Sequence, residues 1–240
     1  MITVDFRRVD IRPGHRVLDI GCGEGRHTVR MCQEKDVICT GADFGFDNLI
    51  ATRCKLKFHE AINDFSCQDW HLAAMDITAI PFANSSFDLV LCAEVLEHIP
   101  NDDAAIDELT RIVKPAKTLV VSVPRAWPEK ICWQLSDEYV NADMGHVRIY
   151  KKKELQRRII DRGFTFQGSH FAHSIHSPYW WLKCLVGPNR TDAWPVNLYH
   201  RLLVWDLMKK PWITAWLDKL MNPIMGKSVV MYFQKNPSHR

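Results

Sequence analysis

The sequence predicts an α/β domain: a parallel β-sheet with helices on both faces. Three observations carry that expectation. Short apolar runs alternate with helix-forming stretches over about 120 residues, the order that parallel crossovers require. The first apolar run, 16–20, leads straight into a glycine cluster at Gly21, Gly23 and Gly25, where a strand must turn sharply into a helix. The composition, 47% hydrophobic and 25% charged over 240 residues, is that of a folded protein with a core of its own.

The elements follow in order. Residues 16–20 (RVLDI) read as a buried strand and 26–34 as a helix. A second strand, 37–42 (VICTGA), ends at Asp43, and 46–57 is the next helix. Strand 70–75 ends at Asp76, and 87–92 (FDLVLC) is the fourth strand. Helix 102–112 has Asn101 as its N-cap and acids in its first turn. It stops ahead of Pro115, because the residue before a proline resists helical angles. Strand 117–123 (KTLVVSV) completes the regular part.

Beyond Pro124 the pattern loosens. Residues 124–149 read as a long connection, 150–162 as a basic helix closed by Gly163, and 164–171 as an alternating strand. The last strand is 228–234 (SVVMYFQ). The insert before it, 172–227, is far longer than an ordinary loop and shows two helical pieces within 196–220, interrupted at Pro211. The whole chain reads as one domain: a core at 1–124, the connection 124–149, and a helical cap at 172–227.

Composition narrows the function classes. The net charge of +3 hides an asymmetry: 13 basic against 19 acidic side chains in residues 1–120, and 18 against 9 in residues 121–240. Eight of the nine tryptophans, all but Trp70, lie in the second half, so the two halves are expected to do different work. No apolar run is long enough to span a bilayer, and the first residues lack the apolar core of a secretory signal. The eight cysteines contain no CxxC pair and are expected as reduced thiols. A cytoplasmic protein is expected, with peripheral membrane contact as a further option.

The sharpest signal is Val17-Leu18-Asp19-Ile20-Gly21-Cys22-Gly23-Glu24-Gly25. Glycines after a strand let backbone approach a ligand closely, and the helix that follows points N–H groups at it. Asp43 stands eighteen positions after Gly25 at a strand end, where a carboxylate can accept from both ribose hydroxyls. The dinucleotide pattern GxGxxG is not met, because Arg26 follows GCGEG. Asp19 would also repel a pyrophosphate, whereas a sulfonium and an amino group are cations that favour it.

Together with GADFG (41–45), MDITAIPFANSSFDLVLCAEVLEHIPND (75–103) and ELTRIVKPAKTLVVSVP (108–124), this stretch resembles the class I S-adenosylmethionine-dependent methyltransferases. It looks most like their small-molecule group, which includes the ubiquinone-type enzymes. The resemblance implies a Rossmann-like, doubly wound sheet of seven strands with the last antiparallel. It implies S-adenosylmethionine as donor and S-adenosylhomocysteine as product. Carried over by position, Asp19 and the loop Gly21, Cys22, Gly23 and Gly25 would hold the methionine part. Asp43, with Phe44 beside it, would bind the ribose. Asp76 would accept from the adenine amino group with the Ile77 amide nearby, and Ala93 and Glu94 would lie near the amino-acid end.

Ligands of open parallel sheets bind beyond the carboxyl ends of the strands. An antiparallel last strand brings both ends of the insert to that edge, so the cap is expected to choose the acceptor. Trp127, His173, His176, Tyr179, Trp180 and Trp181 are the candidate pocket residues. Two readings of the insert stand. Its apolar stripe, Leu198, Leu202, Trp205, Trp212, Trp216 and Leu220, packs on the domain. Alternatively, with Arg201, Lys209, Lys210 and Lys219, it lines a pocket for an apolar acceptor or touches a membrane surface.

Methyl transfer to oxygen or activated carbon often needs a base near neutral pH. His98 in EVLEH and His146 in GHVRIY are the candidates, the latter matching a family position. His170, His173 and His176 stand three apart with no acid or cysteine near in sequence, so no metal is expected there. The run 151–153 with Arg157, Arg158 and Arg162 reads as a solvated helix face. Transfer to a small, lipophilic acceptor is therefore expected, with an RNA or protein acceptor on the basic half as the alternative and no nucleic acid favoured.

Overall fold

The computed structural model describes residues 1–34, 36–141, 145–190 and 192–237. Seven strands form one sheet: β1 (Arg16–Ile20), β2 (Ile38–Asp43), β3 (Asp69–Ala74), β4 (Phe87–Ala93), β5 (Val113–Pro124), β6 (Phe164–Ala172) and β7 (Ser228–Lys235). Their order is β3-β2-β1-β4-β5-β7-β6, and only β7 runs against its neighbours. This is the doubly wound sheet with an antiparallel last strand that the sequence implied. The parallel strands alternate between the two faces, and both faces are covered. Leu18, Val90 and Cys92 enter one core cluster, and Val17, Leu89 and Leu91 the other, because successive side chains of a strand point oppositely. No polar face is available, which is why these strands read as unbroken apolar runs.

The helices α1 (Arg26–Glu34), α2 (Phe46–Ala61) and α3 (Asp102–Ile112) occupy the crossovers. Asn101 caps α3 by accepting from the Ala104 N–H at 3.3 Å, with Asp102 and Asp103 in the first turn. β5 begins at Val113, earlier than the 117 expected. Pro115 is tolerated there because the β4–β5 register shifts between Phe87 and Leu89, releasing the proline from the ladder.

The connection 124–149 is not structureless: it contains α4 (Ala126–Leu135) and α5 (Asp137–Val140). The basic helix is shorter than expected, α6 (Lys152–Ile160), and Gly163 closes it at φ 85° with its N–H donating to the Ile160 carbonyl. Its arginines are not simply solvated. Arg158 pairs with Asp102 and Asp103, and Arg162 with Asp103 and Asp107, tying α6 to α3.

The insert holds three helices: α7 (Ser177–Val186), absent from the sequence reading, α8 (Trp194–Lys209) and α9 (Trp212–Met225). Both of its ends lie at the carboxyl edge of the parallel strands, since Ser228 pairs with both Pro124 and Ala172. The expectation that its apolar stripe packs on the domain is corrected. α8 buries only Val196 and Leu203, and α9 has no fully buried residue. Trp194, Trp212 and Trp216 are 74%, 76% and 59% exposed. Helical periodicity identifies an apolar stripe but not what covers it. Among the described residues, no helix is long and apolar enough to cross a membrane.

Candidate active site

The chain turns from β1 into α1 through glycines at positive φ. Gly21 has φ 68°, and a Cβ there would lie 2.3 Å from the Val95 side chain. At Gly23, φ 53°, a Cβ would meet nothing within 4 Å, so that side of the loop opens onto space. The space is a cleft of about 620 Å³ at the carboxyl edge. Gly21, Gly23, Asp43, Phe44, Asp76, Ile77 and Glu94 all line it.

Asp43 ends β2 and clamps the loop. Its Oδ2 accepts from the Gly23 N–H at 2.7 Å, and its Oδ1 accepts from the Gly45 N–H at 2.8 Å and the Asn48 amide at 3.0 Å. Asp76 accepts from the Thr78 N–H and hydroxyl, both on Oδ1 at 2.8 Å. Those bonds, the backbone one first, hold its carboxyl below the usual range. Glu94 sits at φ 59° directly after β4 and accepts from the Ser122 hydroxyl at 2.9 Å.

Four residues assigned to the cofactor by resemblance, Asp19, Cys22, Gly25 and Ala93, are not among the residues that line the cleft. Asp19 is buried, accepts from the Thr28 hydroxyl at 2.7 Å, and is not part of the cleft lining. Burial pushes its carboxyl up to about 6. Cys22 is buried, and burial pushes its thiol up to about 12. Gly25 faces Thr52 and Ala93 packs into the second core cluster. Their described contacts are with the protein's own interior.

A second cavity, of about 680 Å³, adjoins the first. His98, Tyr139, His146, Trp180, Lys183 and Lys227 are among its lining residues, and His98 lines both cavities. The His98 and His146 rings meet edge to face, 4.9 Å between centroids. The reason they meet is a lacing of two distant segments. The Val147 N–H donates to the Glu97 carbonyl, the Tyr150 hydroxyl to the Leu96 carbonyl, and Arg148 to the Pro100 carbonyl. His98 Nδ1 stands 3.2 Å from the Gly145 carbonyl oxygen.

Glu129, on α4, was not singled out from sequence, yet it organises this wall. It is 3% exposed, with His146 Nδ1 at 2.5 Å from Oε1, and it accepts from the Trp133 indole at 3.2 Å and the Tyr139 hydroxyl at 3.4 Å. Burial works to raise its carboxyl, but the His146 hydrogen bond and charge outweigh that and hold it below the ordinary value. Glu97 was missed as well. It is 1% exposed, and among the described residues neither carboxylate oxygen meets a hydrogen-bond partner. The only sequence signal for it was its place in EVLEH.

The expected acceptor residues divide. Trp180 lines the second cavity, with Lys183 and Lys227 ammonium groups 5.2 and 4.9 Å from its ring centroid. Trp127 and Trp181 pack together at 5.6 Å and donate to the Ile224 and Pro128 carbonyls. Tyr179 packs on Tyr199 and His200 within the insert. His173 and His176 line a separate cavity of about 190 Å³ with Met1 and Asp218. Burial lowers them to about 3 and about 4, so they are neutral at pH 7. His170 stacks on Tyr232 and faces the Thr3 carbonyl, while His173 Nε2 stands 3.3 Å from the Thr3 hydroxyl.

The family model described as a methyltransferase domain matches residues 18–121, the segment that builds the glycine loop, Asp43, Asp76 and Glu94. That segment is what this chain shares with methyltransferase domains. The domain and its surroundings are 29% identical over 176 residues to a ubiquinone biosynthesis O-methyltransferase of Psychrobacter arcticus, over 70% of this chain and 66% of that one. The chain spans two thirds or less of the length of the curated relatives it matches. Among solved structures it is similar to the cyclase SpnF, with TM-score 0.64, 17% identity, and coverage of 96% of this chain and 78% of that one. It is also similar to a geranyl diphosphate C-methyltransferase from Streptomyces coelicolor A3(2), solved with Mg2+, geranyl diphosphate and S-adenosyl-L-homocysteine. That pair gives TM-score 0.62 and 11% identity over 96% and 77% of the chains. At these identities the structures establish a shared fold, and a fold by itself does not select a reaction.

Proposed function

We propose that the protein transfers a methyl group from S-adenosylmethionine to an oxygen of a small, apolar acceptor. The observation that carries this reading is the pair of adjoining cavities that share His98, one ringed by the methyltransferase-domain motifs and the other by aromatic and histidine side chains. The cleft fits the donor. The opening at Gly23 is the place for the methionine part, Asp43 for the ribose hydroxyls, and Asp76 with the Ile77 amide for the adenine. When bound, the donor supplies a methyl group on a good leaving group. The protein's share of the work is then alignment, exclusion of water and loosening of the acceptor's proton. The His98–His146–Glu129 wall stands where that proton would be handled. The relatives' names favour oxygen as the atom methylated.

The apolar character of the acceptor is supported by the insert. Its exposed face joins Trp205, Trp212, Trp216, Leu198 and Leu220 to exposed Arg201, Lys209, Lys210 and Lys219. Residues 172–227 hold seven Lys and Arg against three Asp. An aromatic face with surplus positive charge suits an anionic lipid surface, and the reading assigns that partner to it. An RNA acceptor is disfavoured because Arg158 and Arg162 are engaged by α3 acids.

The test is calorimetric titration with S-adenosylhomocysteine, followed by transfer of labelled methyl to a panel of phenolic and quinol acceptors. Saturable binding lost in Asp43→Ala, with methyl appearing on acceptor oxygen, supports the reading. Absence of product-cofactor binding by the folded protein overturns it.

A further inference from the structure

We propose that Lys183 and Lys227 bind an anionic group, a carboxylate or a phosphate, on an otherwise apolar acceptor in the second cavity. The proposal deepens the methyl-transfer reading and rests on it for calling the bound molecule an acceptor, though not for the anion site itself.

Two ammonium groups converge on one aromatic ring. Lys183 Nζ stands 5.2 Å and Lys227 Nζ 4.9 Å from the centroid of Trp180, and all three residues line the second cavity. Lys183 reaches the ring from within α7, where residues three apart share a face. Lys227 comes from the far end of the insert, the residue before β7, where its carbonyl accepts from the Arg125 N–H at 2.7 Å. Helical geometry accounts for the first lysine, and only the tertiary fold brings the second. The ring they share is held in place. Trp180 packs on Tyr139 at 6.0 Å, and its neighbour Trp181 donates to the Pro128 carbonyl at 3.0 Å.

Neither charge is answered by the protein. Among the described residues, no hydrogen bond or ion pair joins either ammonium to another group. Both lysines are half-buried, so water and salt screen them incompletely. One ammonium over an indole is a favourable pair. A second at the same ring sets two like charges no more than about 10 Å apart, and they repel. Glu138 also lines this cavity, but it is exposed and pairs with neither lysine. On the Glu129 carboxyl, burial acts first, His146 next and Lys227 only after them, and that carboxylate is already engaged by His146 at 2.5 Å.

The chemistry that answers two neighbouring ammonium groups is an anion with several acceptor oxygens. Each lysine carries three donors on a flexible four-carbon stem, so it can swing from the ring to a ligand without moving the backbone. Tyr139 and Trp180 offer aromatic faces to the apolar body of the same molecule. The lysines hold its acidic end, and His98, shared with the donor cleft, marks its reacting end. The exposed cations of α8 and α9, Arg201, Lys209, Lys210 and Lys219, do not line this cavity, so the anion site is separate from the lipid-facing surface.

The experiment compares kcat/KM for methyl transfer to three matched acceptors: an alkylphenol, its ω-carboxylate and its ω-phosphate. The wild type should prefer an acid over the neutral phenol by about 10-fold or more, and the acid that leads names the group. Lys183→Met and Lys227→Met keep the apolar stem and remove the charge. Each should cut that preference about fivefold or more, through KM rather than kcat, and the double variant should abolish it. Lys183→Arg and Lys227→Arg keep the charge and should keep most of the preference. Equal losses on the neutral and acidic phenols, or a wild type without preference for either acid, overturn the proposal. Binding of the two acids is read separately by calorimetry with S-adenosylhomocysteine present. Lysine-dependent binding by a protein that methylates none of the three would sustain the anion site and defeat the methyl-transfer reading. Methyl transfer that ignores the acidic group would do the reverse.

Discussion

Replacing Asp43 by alanine tests the donor site at its most constrained point, and the structure says it should do two separable things. The carboxylate accepts from two backbone N–H groups, Gly23 at 2.7 Å and Gly45 at 2.8 Å, and from the Asn48 amide at 3.0 Å. Hydrogen bonds to a charged group contribute roughly 1.5–3 kcal/mol each. Asp43 lines the cleft, so water can partly replace it. The expected loss of stability is then about 2–4 kcal/mol rather than the full sum, read as a lower urea midpoint. Separately, removal of the ribose acceptor should weaken S-adenosylhomocysteine by about 1–3 kcal/mol, or about five- to 150-fold. Asp43→Asn separates the two effects. It keeps one carbonyl oxygen for Gly45 and Asn48 but sets its NH2 against the Gly23 N–H, so only part of the lost stability should return, while its amide lacks the carboxylate's acceptors for the ribose. Calorimetry on folded protein decides. Affinity within twofold of wild type in both variants would refute the assignment of the sugar to Asp43.

Three further outcomes are expected. Asp19 is buried with its carboxyl raised to about 6, so the folded state holds that proton more tightly than the unfolded chain does. Its stability contribution is full below about pH 4 and is lost as pH rises through about 6, on the order of 3 kcal/mol in all. Asp19→Asn keeps an acceptor for Thr28 and should flatten that slope in urea titrations from pH 4.5 to 7.5; an identical slope in both proteins would count against it. Gly21→Ala places a Cβ 2.3 Å from Val95 at φ 68° and should lower the melting temperature by several degrees and abolish product-cofactor binding, with a wild-type melting curve the contrary result. Trp212→Ala with Trp216→Ala, at 76% and 59% exposure, should lose flotation with phosphatidylserine vesicles while leaving stability within about 0.5 kcal/mol; undiminished flotation would remove the lipid partner from this face.

The core was legible because its information is local. Strands β1 and β4 are buried on both faces, so each announces itself as a short apolar run. The glycine loop and Asp43 were legible because a sharp turn and a strand-end acid are constraints on consecutive residues. The second cavity was not, because its parts converge only through tertiary lacing. His98 and Gly145 lie 47 positions apart, and Glu129 reaches His146 from a helix that carries no motif of its own. The insert failed differently. Its periodicity was correct as a pattern, but whether an apolar stripe meets protein or solvent depends on where the chain has room to fold back. α7 escaped notice because Pro178 at its start reads as a loop until its place in the first turn is known.

The pairing of Ser228 with Ala172 has an evolutionary corollary. The helical appendage departs from one rung of the ladder and rejoins at the same rung, so its length and content are mechanically invisible to the strands on either side. Such a hairpin-like mouth tolerates wholesale exchange of what hangs from it. On the methyl-transfer reading proposed above, swapping that appendage changes the acceptor while the half that carries the glycine loop is inherited intact.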